Sequence, residues 1–197
     1  MIDILVLYYS RYGATEALAR EVAQGVDSVS GTASRLRTTP AISAVSEAVE
    51  DTVPENGPPY VTVADLHECA GMIMGSPTRF GNMAASLKYF LDSTGNEWLS
   101  GTLTGKPAGV FTSSSTLHGG QETTPLSMML PLLHHGMLLI GLPYALADLS
   151  STTTGGSPYG ASHVSWNRDA DALSEEEKRL AQALGARVAG LALKLQS

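Results

Sequence analysis

The 197-residue chain predicts an α/β fold: one domain over residues 1–197, built as a doubly wound, five-stranded parallel sheet with helices on both faces. Two observations carry the prediction. Short continuous apolar runs, such as Ile4-Leu5-Val6-Leu7 and Ala108-Gly109-Val110-Phe111, suit strands buried on both faces. Each run opens into a glycine- and hydroxyl-bearing loop, after which apolar residues recur at helical spacing. In sheets of this kind ligands collect at the carboxyl ends of the strands.

The first strand, 4–7, leaves through Tyr8-Tyr9-Ser10-Arg11-Tyr12-Gly13-Ala14-Thr15 into a helix marked by Leu18, Val22 and Val26. A helix start at the sheet edge presents open N–H groups and a dipole that favours an anion. Ser10 and Thr15 add hydroxyl donors, and Gly13 lets the backbone approach closely. The loop is neither GxxxxGK[ST] nor GxGxxG, so it suits one terminal phosphate better than a nucleoside triphosphate or a dinucleotide pyrophosphate. About four charge-assisted hydrogen bonds of roughly 1.5–3 kcal/mol would account for most of a micromolar affinity, about −8 kcal/mol.

A second strand is expected at 34–38, where Arg35 and Arg37 mark a solvated edge. Residues 40–60 carry Glu47, Glu50, Asp51 and Glu55 without a basic residue and read as an exposed excursion. The third strand, 71–75, opens into Ser76-Pro77-Thr78-Arg79-Phe80-Gly81-Asn82-Met83 and a helix with Leu87, Phe90 and Leu91 on its apolar face, closed by 95–98. The fourth, 108–111, opens into Thr112-Ser113-Ser114-Ser115-Thr116-Leu117-His118-Gly119-Gly120. The next helix spans about 122–135, with Pro125 tolerated near its first turn and Pro131 expected to kink or shorten it. The fifth strand is expected at 137–140, followed by a long polar loop that includes 154–161. A capping-box spacing, Ser174 to Glu177, starts the last helix, whose stripe is Leu180, Leu184, Val188, Leu191 and Leu195.

Composition removes several function classes. A net charge of −7 argues against nucleic acid or an anionic membrane as partner. Cys69 is the single cysteine, which excludes an intrachain disulfide and a thiolate metal cluster. The most membrane-like stretch, 126–147, is broken by Pro131, Gly136, Gly141 and Pro143, so no membrane insertion is expected. No basic segment followed by an apolar one marks the chain for secretion, and a cytoplasmic protein is the expectation. His134 and His135 have no carboxylate or cysteine spaced to complete a metal set, so no metal is expected. His67 and His163 read as ordinary surface or loop residues, and no GxSxG elbow exists. Met128, Met129, Leu130, Leu132 and Leu133 are too apolar for an exposed helix and read as core or subunit interface.

One phosphate cradle beside two turns rich in backbone donors fits flavin mononucleotide, with the 77–81 amides at the polar edge of its ring and Phe80 against it. Tyr8 to Gly13, Gly75 to Met83, His118 to Thr124, His134-His135-Gly136-Met137 and Gly156 to Ala161 resemble, in this order, the WrbA family of flavodoxin-like NAD(P)H:quinone oxidoreductases of type IV. The resemblance runs over nearly the whole chain. It implies a flavodoxin-like fold, FMN as cofactor, NADH or NADPH as co-substrate, two-electron reduction of quinones to hydroquinones, and a homotetramer. It assigns Ser10, Arg11, Tyr12, Gly13, Ala14 and Thr15 to the phosphate loop. Pro77, Thr78, Arg79, Phe80 and Gly81 fall to the ring turn, and Ser113, Ser114, Ser115, Thr116, Leu117, His118 and Gly119 to a second ring turn. This second turn departs from the shorter, glycine-rich version of some members. Trp98, reaching from another subunit, and His134 match residues that box in the open face of the ring, and Tyr12 matches one that meets the nicotinamide cofactor.

The implied cycle is ping-pong: the nicotinamide passes a hydride to the flavin and leaves, and a quinone takes its place. His134 is the candidate to steady charge on the quinone oxygen or to assist its protonation. Two other classes stay in view: a flavodoxin-type single-electron carrier and a regulatory binding protein. Trp98 and the Tyr12 loop favour the enzyme.

Overall fold

The first apolar run forms β1 (Ile2–Tyr8), and its alternation decides how the whole molecule is layered. A computed structural model describes residues 1–42, 57–165 and 172–196. The predicted acidic excursion lies largely outside the described residues. In β1, Ile4, Val6 and Tyr8 face one side and Leu5 and Leu7 the other. The first set packs on Leu18, Val22 and Val26 of α1 (Ala14–Asp27) and on Leu180, Leu184 and Val188 of α7 (Glu175–Gln196). The second set joins a separate core with Leu66, Leu87, Met128 and Leu132. These come from α2 (Val63–Glu68), α3 (Ala85–Asp92) and α5 (Thr123–His134). Helices therefore cover both faces of the sheet, as the sequence predicts. Each fully buried Leu or Val contributes roughly 1.5–3 kcal/mol.

The strand order is β2-β1-β3-β4-β5, all parallel, with β2 (Thr32–Thr38), β3 (Gly71–Pro77), β4 (Pro107–Ser114) and β5 (Leu138–Leu139). The expected fifth strand is only two residues long, pairing Pro107 and Ala108 with Leu138 and Leu139. The rest of the fifth position is filled by a sixth strand, β6 (Ala161–Val164), which pairs with Phe111 to Ser114 at the carboxyl end of β4. The sequence reading placed a polar loop before this point and missed β6, because Ser162 and His163 interrupt any apolar run. Between the two halves runs α6 (Ala147–Ser151). Residues 95–98 do not close α3. They belong to a short helix of their own, α4 (Gly95–Leu99), set off where Thr94 Oγ1 donates to the Leu91 carbonyl (2.7 Å). Pro131 sits inside α5, which ends three residues later at His134.

The β2 arginines are half-buried rather than solvated. Arg35 pairs with Asp3 and with Glu68 (2.7 Å), and Arg37 Nε donates to Asp65 (3.0 Å). The predicted stripe of α7 is buried through Val188, whereas Leu195 is exposed. The α1–α7 crossing is unusually close. A Cβ on Gly25 would lie 1.9 Å from the Gln182 carbonyl oxygen, and one on Gly185 would lie 2.1 Å from that of Val22. The two backbones touch through these glycines, so α7 fixes the axis of α1 directly. No helix among the described residues is long and apolar enough to cross a membrane.

Candidate active site

The loop after β1 begins with the Tyr9 N–H on the Gly75 carbonyl (3.1 Å) and ends at Gly13, whose φ of 91° turns the chain into α1. The Gly13 carbonyl accepts the Ala17 N–H (2.8 Å), and no side chain caps the helix. By helix geometry the N–H groups of Ala14, Thr15 and Glu16 have no intrahelical acceptor. Beside them, Ser10 Oγ is buried without a hydrogen-bond partner. A buried, unpaired hydroxyl costs about 1–3 kcal/mol, which a ligand acceptor would relieve. Thr15 Oγ1 shares a buried hydrogen bond with Ser113 Oγ (2.8 Å), tying the loop to the end of β4.

These groups line a cleft of about 360 Å³. Its walls are Ser10, Arg11, Tyr12, Ala14 and Thr15 from the first loop, Pro77, Thr78 and Arg79 from the second, and Ser113, Ser114 and Ser115 from the third. Ser165 completes it from the end of β6, its N–H bonded to the Ser114 carbonyl (2.9 Å). Sequence reasoning missed Ser165, and with β6 unseen no signal pointed to it.

The second loop is a tight hairpin. Arg79 and Asn82 exchange backbone hydrogen bonds (2.7 and 3.0 Å) around Phe80 and Gly81, which both have positive φ, 54° and 78°. Such a turn wants glycine or asparagine at both central positions. Phe80 is the single non-glycine residue with positive φ among the described residues, and its ring is fully exposed. Strain and apolar exposure together bring no folding benefit and mark a residue kept for a ligand. The hairpin is anchored by the Thr78 N–H on the Ser113 carbonyl (2.8 Å) and by Thr124 Oγ1 donating to Thr78 Oγ1 (2.8 Å). In the third loop, Ser114 Oγ donates to the Thr116 carbonyl (2.8 Å), and Gln121 Nε2 to that of Leu117 (2.8 Å).

The remaining residues singled out in the sequence are placed elsewhere. Gly13 and Gly81 shape their loops without lining the cleft. Leu117 and His118 line a different depression, of about 520 Å³, with Thr152 to Thr154, and Thr116 and Gly119 line neither. Trp98 and His134 lie together, Trp98 Nε1 donating to the His134 carbonyl (2.8 Å), in a depression of about 420 Å³ between α3, α4 and α5. That depression shares no lining residue with the cleft, so one chain does not bring Trp98 and His134 to Ser10 and Thr15.

Two other histidines are internal. Thr94 Oγ1 already donates to Leu91, so His135 Nε2 must donate to Thr94 (3.1 Å), and His135 Nδ1 is left buried and unpaired. Burial lowers the His135 pKa below its ordinary 6.5, against the opposing field of Glu97. His163 is not a surface residue. It is a buried residue of β6, with Nδ1 2.8 Å from Glu177. Glu177 also accepts the N–H groups of Gly155 (2.9 Å), Val164 (3.1 Å) and Ser174 (2.9 Å). With the Glu177 N–H on Ser174 Oγ (3.2 Å), these complete the predicted capping box. Burial pushes the Glu177 carboxyl up, but these hydrogen bonds outweigh it and hold the pKa below the usual range.

Comparison with known proteins identifies the family and the fold. Residues 2–150 match the family of NADPH-dependent FMN reductases. The chain is 40% identical to an NAD(P)H dehydrogenase (quinone) of Solidesulfovibrio magneticus, covering all of both chains. It is 43% identical to one of Geobacter sulfurreducens, over 98% of this chain and 99% of that one. Among solved structures, a WrbA-like flavodoxin from Agrobacterium tumefaciens superposes with a TM-score of 0.67 at 25% identity, covering 98% of this chain and 99% of that one. An archaeal flavodoxin shares the fold, with a TM-score of 0.64 at 17% identity over 98% of this chain and 99% of that one.

Proposed function

The chain belongs to the NADPH-dependent FMN reductase family, and from that premise we propose that the cleft at the strand ends holds FMN by its phosphate in an FMN-dependent NAD(P)H:quinone oxidoreductase. The observation that carries the placement is Ser10 Oγ, buried and unpaired beside the open N-terminus of α1. The donors there are amides and hydroxyls, the chemistry a phosphate monoester asks for. Bound FMN supplies the redox chemistry that links a nicotinamide to a quinone.

The protein's share is binding and orientation. Ser10 and Thr15 hold the phosphate, with the 14–16 amides. Thr78, bonded to Ser113 of β4 and to Thr124 of α5, and Arg79 present the ring turn, and Phe80 offers an aromatic face. Ser113, Ser114 and Ser115 wall the opposite side. Tyr12 is exposed beside the cleft, where a nicotinamide would stack.

Trp98 and His134 act across a subunit boundary in the proposed homotetramer. Two observations support this. They lie outside their own chain's cleft, and around them Leu126, Leu130 and Leu133 of α5, with Tyr89 and Leu99, are exposed apolar residues of the kind a partner covers. There the His134 imidazole would steady the charge on the quinone oxygen or give it the proton that reduction adds. The proposed compartment is the cytoplasm, in keeping with the single buried thiol, Cys69.

The test is titration of the purified protein with FMN, then with NADH or NADPH, following bleaching of the flavin band and its return on adding benzoquinone. Sedimentation of the loaded protein reads the assembly. FMN that stays oxidised in the presence of either nucleotide would refute the enzyme.

A further inference from the structure

A second groove, of about 560 Å³, adjoins the flavin cleft and shares Arg11 and Arg79 with it. Tyr9, Ile42, Ser86 and Lys88 are among its other walls, and among the described residues no carboxylate lines it. In a chain of net charge −7 this is an unusual concentration of positive charge. Arg20, Arg35, Arg37 and Arg179 each have an acidic partner. Arg11 and Arg79 have none among the described residues. The Arg11 guanidinium lies over the Tyr12 ring, 5.3 Å from its centre, and Arg79 Nη1 donates to the Thr78 carbonyl (2.8 Å). Both keep further donors free for a bidentate anion. Lys88 pairs with Asp92 (2.5 Å), an exposed contact one helical turn away that a stronger anion can displace.

Resting on the function proposed above, the flavin phosphate is already provided for at Ser10 and Thr15, and a quinone carries no phosphate. The other ligand of the site, a reduced nicotinamide dinucleotide, does. We propose that the Arg11–Arg79–Lys88 groove receives the 2′-phosphate of NADPH and makes this protein discriminate against NADH. A phosphate monoester carries close to two negative charges at neutral pH, suited to a groove lined by three cations, whereas NADH has only a ribose hydroxyl at that position. The pyrophosphate common to both nucleotides cannot produce discrimination, which gives the experiment its two arms.

Lys88 lies outside the flavin cleft but also borders the Trp98–His134 depression, so Lys88→Glu tests the groove with FMN bound and with NADH as the internal control for any effect there. In calorimetry on the FMN-loaded protein, 2′,5′-ADP binds about tenfold tighter than ADP. Lys88→Glu abolishes the preference, and Lys88→Arg keeps it. In turnover with benzoquinone, Lys88→Glu raises KM for NADPH about tenfold and leaves KM for NADH and the flavin affinity unchanged. Equal binding of 2′,5′-ADP and ADP to the unaltered protein, or a parallel rise in both KM values, overturns the assignment. Because calorimetry needs no turnover, failure of the groove is separable from failure of the enzyme. An FMN-loaded protein that oxidises neither nucleotide strikes the proposed function instead.

Discussion

Replacing Ser10 by alanine should move two measurements in opposite directions. In the protein without flavin, Ser10 Oγ is a buried hydroxyl lacking a partner. Such a group costs about 1–3 kcal/mol, and alanine removes it while leaving most of the packing. A net gain of about 1 kcal/mol is expected, which in a chain of this size raises Tm by about 2–4 °C. With FMN bound, the same hydroxyl donates to a phosphate oxygen, a charge-assisted bond contributing about 1.5–3 kcal/mol. Its loss weakens FMN about 10- to 150-fold. Riboflavin, which lacks the phosphate, should bind both proteins equally. The assays are thermal unfolding of flavin-free protein and quenching of flavin fluorescence in titrations with FMN and with riboflavin. If Ser10→Ala leaves FMN affinity intact, or weakens riboflavin to the same degree, the phosphate does not sit at this loop.

Three further perturbations probe other parts of the argument. Phe80→Gly relieves a positive φ in a residue whose ring is exposed. It should leave Tm equal or up to a few degrees higher, yet weaken FMN about 2- to 10-fold through the lost aromatic contact. Gly185→Ala places a methyl group 2.1 Å from the Val22 carbonyl oxygen. A urea midpoint lowered by about 1–3 kcal/mol of stability is expected, with no change if the helices can slide apart. His135 takes up a proton less readily folded than unfolded, since its pKa is lowered from 6.5. The unfolded state therefore binds more protons below that value, and stability falls as pH drops through 6.5 until the folded-state imidazole is itself protonated. His135→Gln should flatten that slope in thermal melts, and a slope unchanged by the substitution would acquit His135.

The parts of the fold legible in the sequence were those carried by local pattern. The run from Ile4 to Leu7, the helical spacing from Leu18 to Val26 and the Ser174–Glu177 box each state their structure within a few residues. The strand–turn–helix around Ser10 to Thr15 was legible for the same reason, since its parts follow one another directly. What escaped depends on distant partners. Strand β6 carries Ser162 and His163 in its middle, both buried, with Ser162 Oγ bonded to Gln121 and His163 Nδ1 to Glu177 from elsewhere in the chain. Ser165 enters the cleft through that unseen strand. The glycine in Arg79-Phe80-Gly81-Asn82 announces a turn, but nothing local says that Phe80 shares its left-handed backbone. The separation of Trp98 and His134 from the cleft is likewise a property of how α4 and α5 pack, which no spacing encodes.

The glycine contact between α1 and α7 sets a timetable for the newborn polypeptide. The phosphate loop leaves the ribosome early, but the surface on which its helix rests, around Gln182 to Val188, is translated long afterwards. Until that late segment emerges, Leu18, Val22 and Val26 lack the α7 side of their packing. The axis of α1, and with it the loop that precedes the helix, is thus fixed only once the last described helix is in place.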